Sequence, residues 1–271
     1  MLKPHHGAVL ALALTSLAAS PEAVRSEKNR PLELANKIAA ASVAAWARCL
    51  VFALVAWLAI PVAAQVAPSA TELARYTGLH AAAHKGDLVQ LKKLLTSKAD
   101  LNARDPYGRT ALHVATFARQ GEVIRLLAQA GADLHLLEND RYDAVTIAAV
   151  ANDEATLGVL LALGASARLT TSRYDGTALI AAAHLGHDGV VKQLIAAKAP
   201  LDHVNNLHWT AMIEAVVLGD GGPRHQEVLR ALLAAGANTQ LADRAGNTPL
   251  ALARTRNYAA MVRMLVPAGA K

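Results

Sequence analysis

Apolar positions fall into two regimes along the chain. Up to residue 64 they come in unbroken runs, GAVLALALTSLAA at 7–19 and CLVFALVAWLAIPVAA at 49–64, with a polar, charged stretch from Pro21 to Lys37 between them. Beyond Tyr76 they recur at helical spacing in short bursts. Leu112, Ala115 and Phe117 form one burst, Val123, Ile124, Leu126 and Leu127 a second after a short link, and Gly131 closes the pair. Apolar residues three and four apart mark one face of an α-helix. Each pair of bursts therefore predicts two short helices burying their apolar faces against each other. The closing glycine suits a left-handed C-cap because it has no Cβ.

The pattern repeats. Thr77, Thr110, Asp143, Thr177, Thr210 and Thr248 open successive units, at spacings of 33, 33, 34, 33 and 38 residues. Twenty-one residues after five of these starts stand Lys98, Gly131, Gly164, Lys198 and Gly269, each followed by Ala. Thr and Asp are good N-caps, because a side-chain oxygen can accept from an otherwise unpaired N–H of the first turn. One helix pair cannot bury its apolar face alone, so neighbours must stack. The fifth unit carries five extra residues between Gly219 and Val228, in the stretch GDGGPRHQ at 219–226, which predicts a protruding loop.

The segments TGLHAAAHKGD, TALHVATFARQGE, TALIAAAHLGHDG and TPLALARTRNY resemble the ankyrin repeat, whose pattern runs Gly-x-Thr-Pro-Leu-His, Ala-Ala, Gly-His, Leu-Leu, Gly-Ala-Asp. The resemblance implies an all-α fold, an ankyrin-repeat solenoid of about six helix-pair repeats over residues 73–271, with β-hairpin fingers projecting from it. It also implies binding of another protein, with no catalysis, no metal and no cofactor. Departures from the pattern are local. Only His80 and His113 fill the His position, with Ile180, Ile213 and Ala251 elsewhere, and only Pro249 fills the Pro position. Lys98 and Lys198 replace the C-cap Gly, and Asn152 and Asn257 replace the Gly of the helix link. The third unit, with Asp143, Ala144 and Val145 for Thr-Pro-Leu, diverges most. Arg254, Arg256 and Arg263 make the last unit polar, as a capping repeat requires.

Residues 1–64 read as a targeting region and 65–72 as a linker. Arg48 and Lys37 precede the run at 49–64, and Val62-Ala63-Ala64 ahead of Gln65 offers small residues for cleavage. A basic flank, an apolar centre and a small-residue junction are the parts of a secretory signal peptide, placed here at 43–64. The run of 16 residues is short against the roughly 20 needed for a membrane span. This predicts an exported chain, periplasmic or secreted. An inner-membrane anchor, and with it a membrane partner, is the alternative if the segment is not cleaved. Cys49 is not a lipoprotein cysteine, because Arg48 precedes it.

Composition narrows the functional classes. Apolar residues make up 54% of the chain but aromatics only 4%, so the core is built of Ala, Leu and Val, which suits closely packed helices. The pI near 9.6 invites a nucleic-acid reading, but residues 65–271 hold 21 basic and 18 acidic side chains, too even a mixture for a phosphate-binding face. His80 and His84 have zinc-compatible spacing without a third ligand, and no nucleophile, carboxylate pair or phosphate loop stands in usable context. The repeat region has no cysteine for a disulfide, and a monomer is expected. Of seven aromatics after Gln65, Tyr76, Tyr107, Tyr142, Tyr174 and Trp209 fall within three residues before a repeat start, with Arg109, Arg141, Arg173, His208 and Arg244 beside that row. In the ankyrin family these positions are finger tips. The ten residues are therefore the expected partner-binding row, with aromatics as anchors.

Overall fold

The computed structural model describes residues 66–270, all within one compact unit, so the run at 49–64 and Cys49 lie outside the described residues. The described part is all-helical. A first helix, α1 (Ala70–Arg75), precedes six helix pairs: α2 and α3 (Gly78–Lys85, Leu88–Thr96), α4 and α5 (Ala111–Phe117, Gly121–Gln129), α6 and α7 (Ala144–Val150, Glu154–Ala162). Then follow α8 and α9 (Ala178–Leu185, Asp188–Ala196), α10 and α11 (Ala211–Val217, Pro223–Ala234), α12 and α13 (Pro249–Thr255, Ala259–Leu265). The first helices of successive pairs pack side by side in one layer and the second helices in another.

All six expected starts are the N-caps of the first-layer helices. Asp143, Thr177, Thr210 and Thr248 accept the N–H three residues on, from Thr146, Ile180, Ile213 and Ala251. Five residues after each start is an alanine (Ala82, Ala115, Ala148, Ala182, Ala215, Ala253), and all six are buried. A methyl group at that point lets adjacent helices come close, and larger side chains complete the seam. Leu79, Leu112, Val145, Leu179, Met212 and Leu250 fill it from the first layer, and Leu127, Leu160, Leu194, Leu232 and Leu265 from the second. Truncating one such leucine to alanine costs about 2–5 kcal/mol. Phe117 and Leu126, expected in the core, are only half-buried.

The turns that end the helices use the left-handed region as the pattern requires. Lys98, Gly131, Gly164, Lys198, Gly236 and Gly269 all have positive φ after the second helices, and Gly86, Arg119, Asn152, Gly186 and Asn257 do so in the links. Lys98 and Lys198 thus adopt a backbone conformation that costs a residue with Cβ about 1 kcal/mol.

Three expectations need correction. Residues 65–72 are not simply a linker, because Ser69 caps α1 in a capping box with Glu72. The fingers are not β-hairpins with paired strands: among the described residues the one β-bridge joins Thr171 and Gly176. Each finger has one backbone bond across its ends, such as Asp105 N–H to Arg109 O or Asn205 N–H to Trp209 O, and one turn bond inside it, such as Gly108 N–H to Asp105 O, too short a pairing for a ladder. Lastly, the five extra residues of the fifth unit do not protrude. Three of them lengthen α11 from the nine residues of the earlier second helices to twelve, with Gly222 as N-cap and Pro223 in the first turn, and the rest lengthen the link before it. The short turn before it is held by Tyr258, whose hydroxyl donates to Gly219 O at 3.0 Å.

Candidate interaction surface

The fingers share a construction. Five residues before each helix start after the first stands an acceptor, Asp105, Glu138, Ser172, Asn205 or Asp243, whose side chain takes the N–H groups two and four residues on. The residue two before each start is left-handed: Gly108, Arg141, Asp175, His208 and Gly246. Neighbouring fingers are then tied together. Asn139, Ser172 and Asn206 donate backbone N–H groups to Tyr107 O, Arg141 O and Tyr174 O at 2.8–3.0 Å.

On this frame the ten expected residues separate by direction. Three residues before the helix start, side chains face water: Tyr107 is 46% exposed, Leu207 is 40% exposed, and Tyr174 is half-buried. One residue before the start they turn inward. Tyr142 is 7% exposed and Arg109 only 3%, which corrects the expectation that both line the outer row; Trp209 and Tyr76 are half-buried. Arg141, Arg173, His208 and Arg244 are exposed. Two of these arginines tie adjacent fingers to each other: Arg141 pairs with Asp175 of the next finger at 3.0 Å and Arg173 with Asp140 of the preceding one at 2.9 Å. Arg244 donates to Asn206 O.

Arg109 is the centre of a buried cluster instead. Its guanidinium meets Glu72 at 3.1 Å and Asp105 at 3.8 Å, and stands 4.4 Å from the centre of the Tyr107 ring. Tyr76 donates its hydroxyl to Asp105, and burial, with that carboxylate, pushes its phenol well above the ordinary range. Glu72 accepts from the Ser69 backbone N–H, the main reason its carboxyl is held down at about 2, with Ser69 Oγ, Tyr107 and Arg109 adding to it. These bonds fasten α1 to the first finger. Burying a guanidinium is tolerable only with such pairing.

The histidines are structural in their contacts. His80 Nε2 lies 2.9 Å from Arg109 O. His113 joins Thr110 through Nδ1 and Leu136 O through Nε2, and burial pushes its pKa down to about 4. At the same position of the third unit, Thr146 donates to Thr171 Oγ1. A second buried network escaped sequence reasoning. Glu214, 4% exposed, meets His184 Nδ1 at 3.1 Å and accepts from Asn205 Nδ2 at 3.0 Å, joining α8, α10 and a finger. Two clues were available, a glutamate among the apolar residues of α10 and the Asn205 at the finger's acceptor position. Neither reveals its partner without the fold.

Comparison with known proteins agrees with this architecture. The sequence matches the family described as ankyrin repeats (3 copies) over residues 43–138 and 145–243. It is 33% identical over 190 residues to the ankyrin repeat protein YahD of Escherichia coli K12, covering 70% of this chain and 94% of that one. A crystal structure of an ankyrin repeat domain from Acinetobacter baumannii AYE superposes with a TM-score of 0.68 at 44% identity, covering 71% of this chain and 98% of that one. The ankyrin repeat domain of Bcl-3, a member of the IkappaB protein family, gives 0.66 at 27% identity, covering 73% and 88%. With its six capped helix pairs and finger turns, the chain belongs to the ankyrin-repeat family, whose fold is a general protein-interaction scaffold.

Proposed function

We propose that this protein is a non-catalytic scaffold that works in the bacterial periplasm, where it binds or stabilises another protein. The observation that carries the binding role is the finger row: Tyr107, Tyr174, Leu207, His208 and Trp209 present apolar and aromatic surface on turns held by fixed hydrogen bonds. A rigid platform with partly exposed aromatics loses little entropy on binding, and such side chains are frequent anchors of interfaces. Support for export comes from the sequence alone, in the basic flank, apolar run and small-residue junction at 43–64.

The same run supports a second reading, a membrane-tethered assembly factor, if it stays attached. Among the described residues no helix is long and apolar enough to cross a membrane, so this reading rests on the run at 49–64, outside them. A secreted effector acting on host proteins is the remaining alternative. Mass spectrometry of the native N-terminus, combined with cell fractionation, tests these. A chain starting at Gln65 in the periplasm supports the scaffold reading, a full-length membrane-bound chain supports the tether, and recovery from culture medium supports the effector. The family match opens at residue 43, so an intact soluble chain in the cytoplasm, with 49–64 packed as repeat, would overturn export. In vivo cross-linking should capture a discrete partner, and capture should drop when Tyr107, Tyr174 and Trp209 are replaced together by alanine.

A further inference from the structure

Charge is unevenly distributed along the repeats. Residues 66–219 carry 14 Lys/Arg against 15 Asp/Glu, whereas residues 220–271 carry 7 against 3. The exposed Arg119, Arg141 and Arg173 of the earlier units each pair with a carboxylate. Arg224, Arg254, Arg256 and Arg263 are exposed too, yet take part in none of the ion pairs among the described residues.

Capping accounts for part of this excess. Arg254 occupies a position filled in the earlier units by the buried Ala83, Thr116, Ala149, Ala183 and Val216. The last unit has no following repeat within the described residues, so a charged residue fits there. Arg224 precedes the last unit, and Arg256, read from the sequence as a capping residue, stands at a position already exposed in earlier units (Lys85, Ala151 and Leu218), so capping accounts for neither.

These two flank an apolar strip. Helices α8, α10 and α12 lie side by side, and positions four and eight after each start fall one turn apart on one helix face. Those positions hold Ala181 and Leu185 on α8, Glu214 and Leu218 on α10, and Leu252 and Arg256 on α12. Leu218 is 42% exposed, and Leu185 and Leu252 are half-buried. Arg224 sits at the start of α11 with its Cβ beside Gly186, next to Leu185. The strip is thus apolar in its middle and cationic at both ends.

Resting on the scaffold reading above, we propose that the strip of Leu185, Leu218 and Leu252, flanked by Arg224 and Arg256, binds an acidic amphipathic segment of the partner protein. Its leucine-like side chains cover Leu218, and its carboxylates meet the two guanidiniums. A uniformly anionic surface suits the strip less well. Asp220, 78% exposed at its side chain, stands in the same turn and would repel a nucleic acid or an anionic bilayer, while a polypeptide can place a neutral residue opposite it. Tyr258, the nearby aromatic, is committed to Gly219 and packs against Gly221, so it is not available to stack on a base.

The test uses the full chain and a fluorescent synthetic peptide with leucine at every third and fourth position and glutamate elsewhere. A matched peptide with lysine for glutamate, a thymidine oligonucleotide and phosphatidylglycerol vesicles serve as competitors for the assignment. Anisotropy should show binding of the glutamate peptide alone, weakening with salt. The pair Arg224→Glu and Arg256→Glu should weaken it about tenfold or more, and Leu218→Ser several-fold. Arg263→Glu, on the outer helix α13, changes net charge equally per residue and should leave binding unchanged. Equal loss with Arg263→Glu would reduce the effect to net charge and overturn the proposal. Binding of the oligonucleotide or vesicles with the same dependence on Arg224 and Arg256 would overturn it in favour of those ligands. Cross-linking in cells that captures the same partner with the charge-reversed chain would retain the scaffold reading and remove the strip from it.

Discussion

A histidine buried as a neutral ring sets an acid limit on stability. The unfolded chain takes up a proton on His113 near pH 6.5, whereas the folded chain refuses it until about 4. More protons are bound by the unfolded state in that window, so stability falls as pH drops from about 6.5 to 4, by at most about 3 kcal/mol, and is unaffected above it. His187, also depressed by burial, adds in the same direction. Urea unfolding at neutral and acid pH should show this slope, and His113→Gln should flatten it. Lys98 and Lys198 make a second prediction: replacing both by Gly at φ 55° and 61° should raise the unfolding midpoint, by about 1 kcal/mol in total once the added flexibility of the unfolded chain is offset. Residue-level features of this kind were legible wherever one chemistry serves one position, as with the Thr and Asp caps. The finger acceptors were not. Asp105, Glu138, Ser172, Asn205 and Asp243 do the same work with four different side-chain types, so no single letter marks the position.

At the level of the elements, a finger turn reads as a line of aromatics in sequence but has an inside and an outside in space. Tyr107 and Tyr142 make the contrast measurable. Tyr142→Ala empties a buried site and should cost about 3 kcal/mol, while Tyr107→Ala should change stability by less than about 1. Thermal unfolding of the two variants distinguishes them, and equal losses would contradict the inward and outward assignment. Spacing from the repeat start, one residue or three, carries this information, whereas the residue type does not. The fifth-unit insertion misled for a related reason: glycines and a proline suggest a loop, yet Pro223 fits the first turn of a helix, where its missing N–H is no loss. Gly221 is left-handed at φ 69°, and a Cβ there would lie 2.5 Å from the Tyr258 ring. Gly221→Ala should therefore destabilise by about 1–2 kcal/mol or more, read from the same unfolding curves. An insensitive Gly221 would mean that the turn is not clamped.

For the molecule as a whole, the number and boundaries of the repeats were legible because each unit depends on its neighbours, so the same apolar positions recur six times. The surface was less so, since neither cross-finger ion pairs nor the strip between Arg224 and Arg256 have any local signature. The first helix was missed altogether, having fewer than two turns and no buried residue of its own. Its bond to Arg109 has a consequence for where a protease can cut without opening the fold. A protease trimming from the N-terminal side can remove everything ahead of Ser69 and leave the Glu72–Arg109 pair whole. Four residues further it would strip Glu72 away and leave Asp105 as the guanidinium's one remaining carboxylate partner, inviting the first unit to open and digestion to continue. Limited proteolysis of the purified chain should therefore leave a stable fragment that still holds the Ser69–Glu72 capping box.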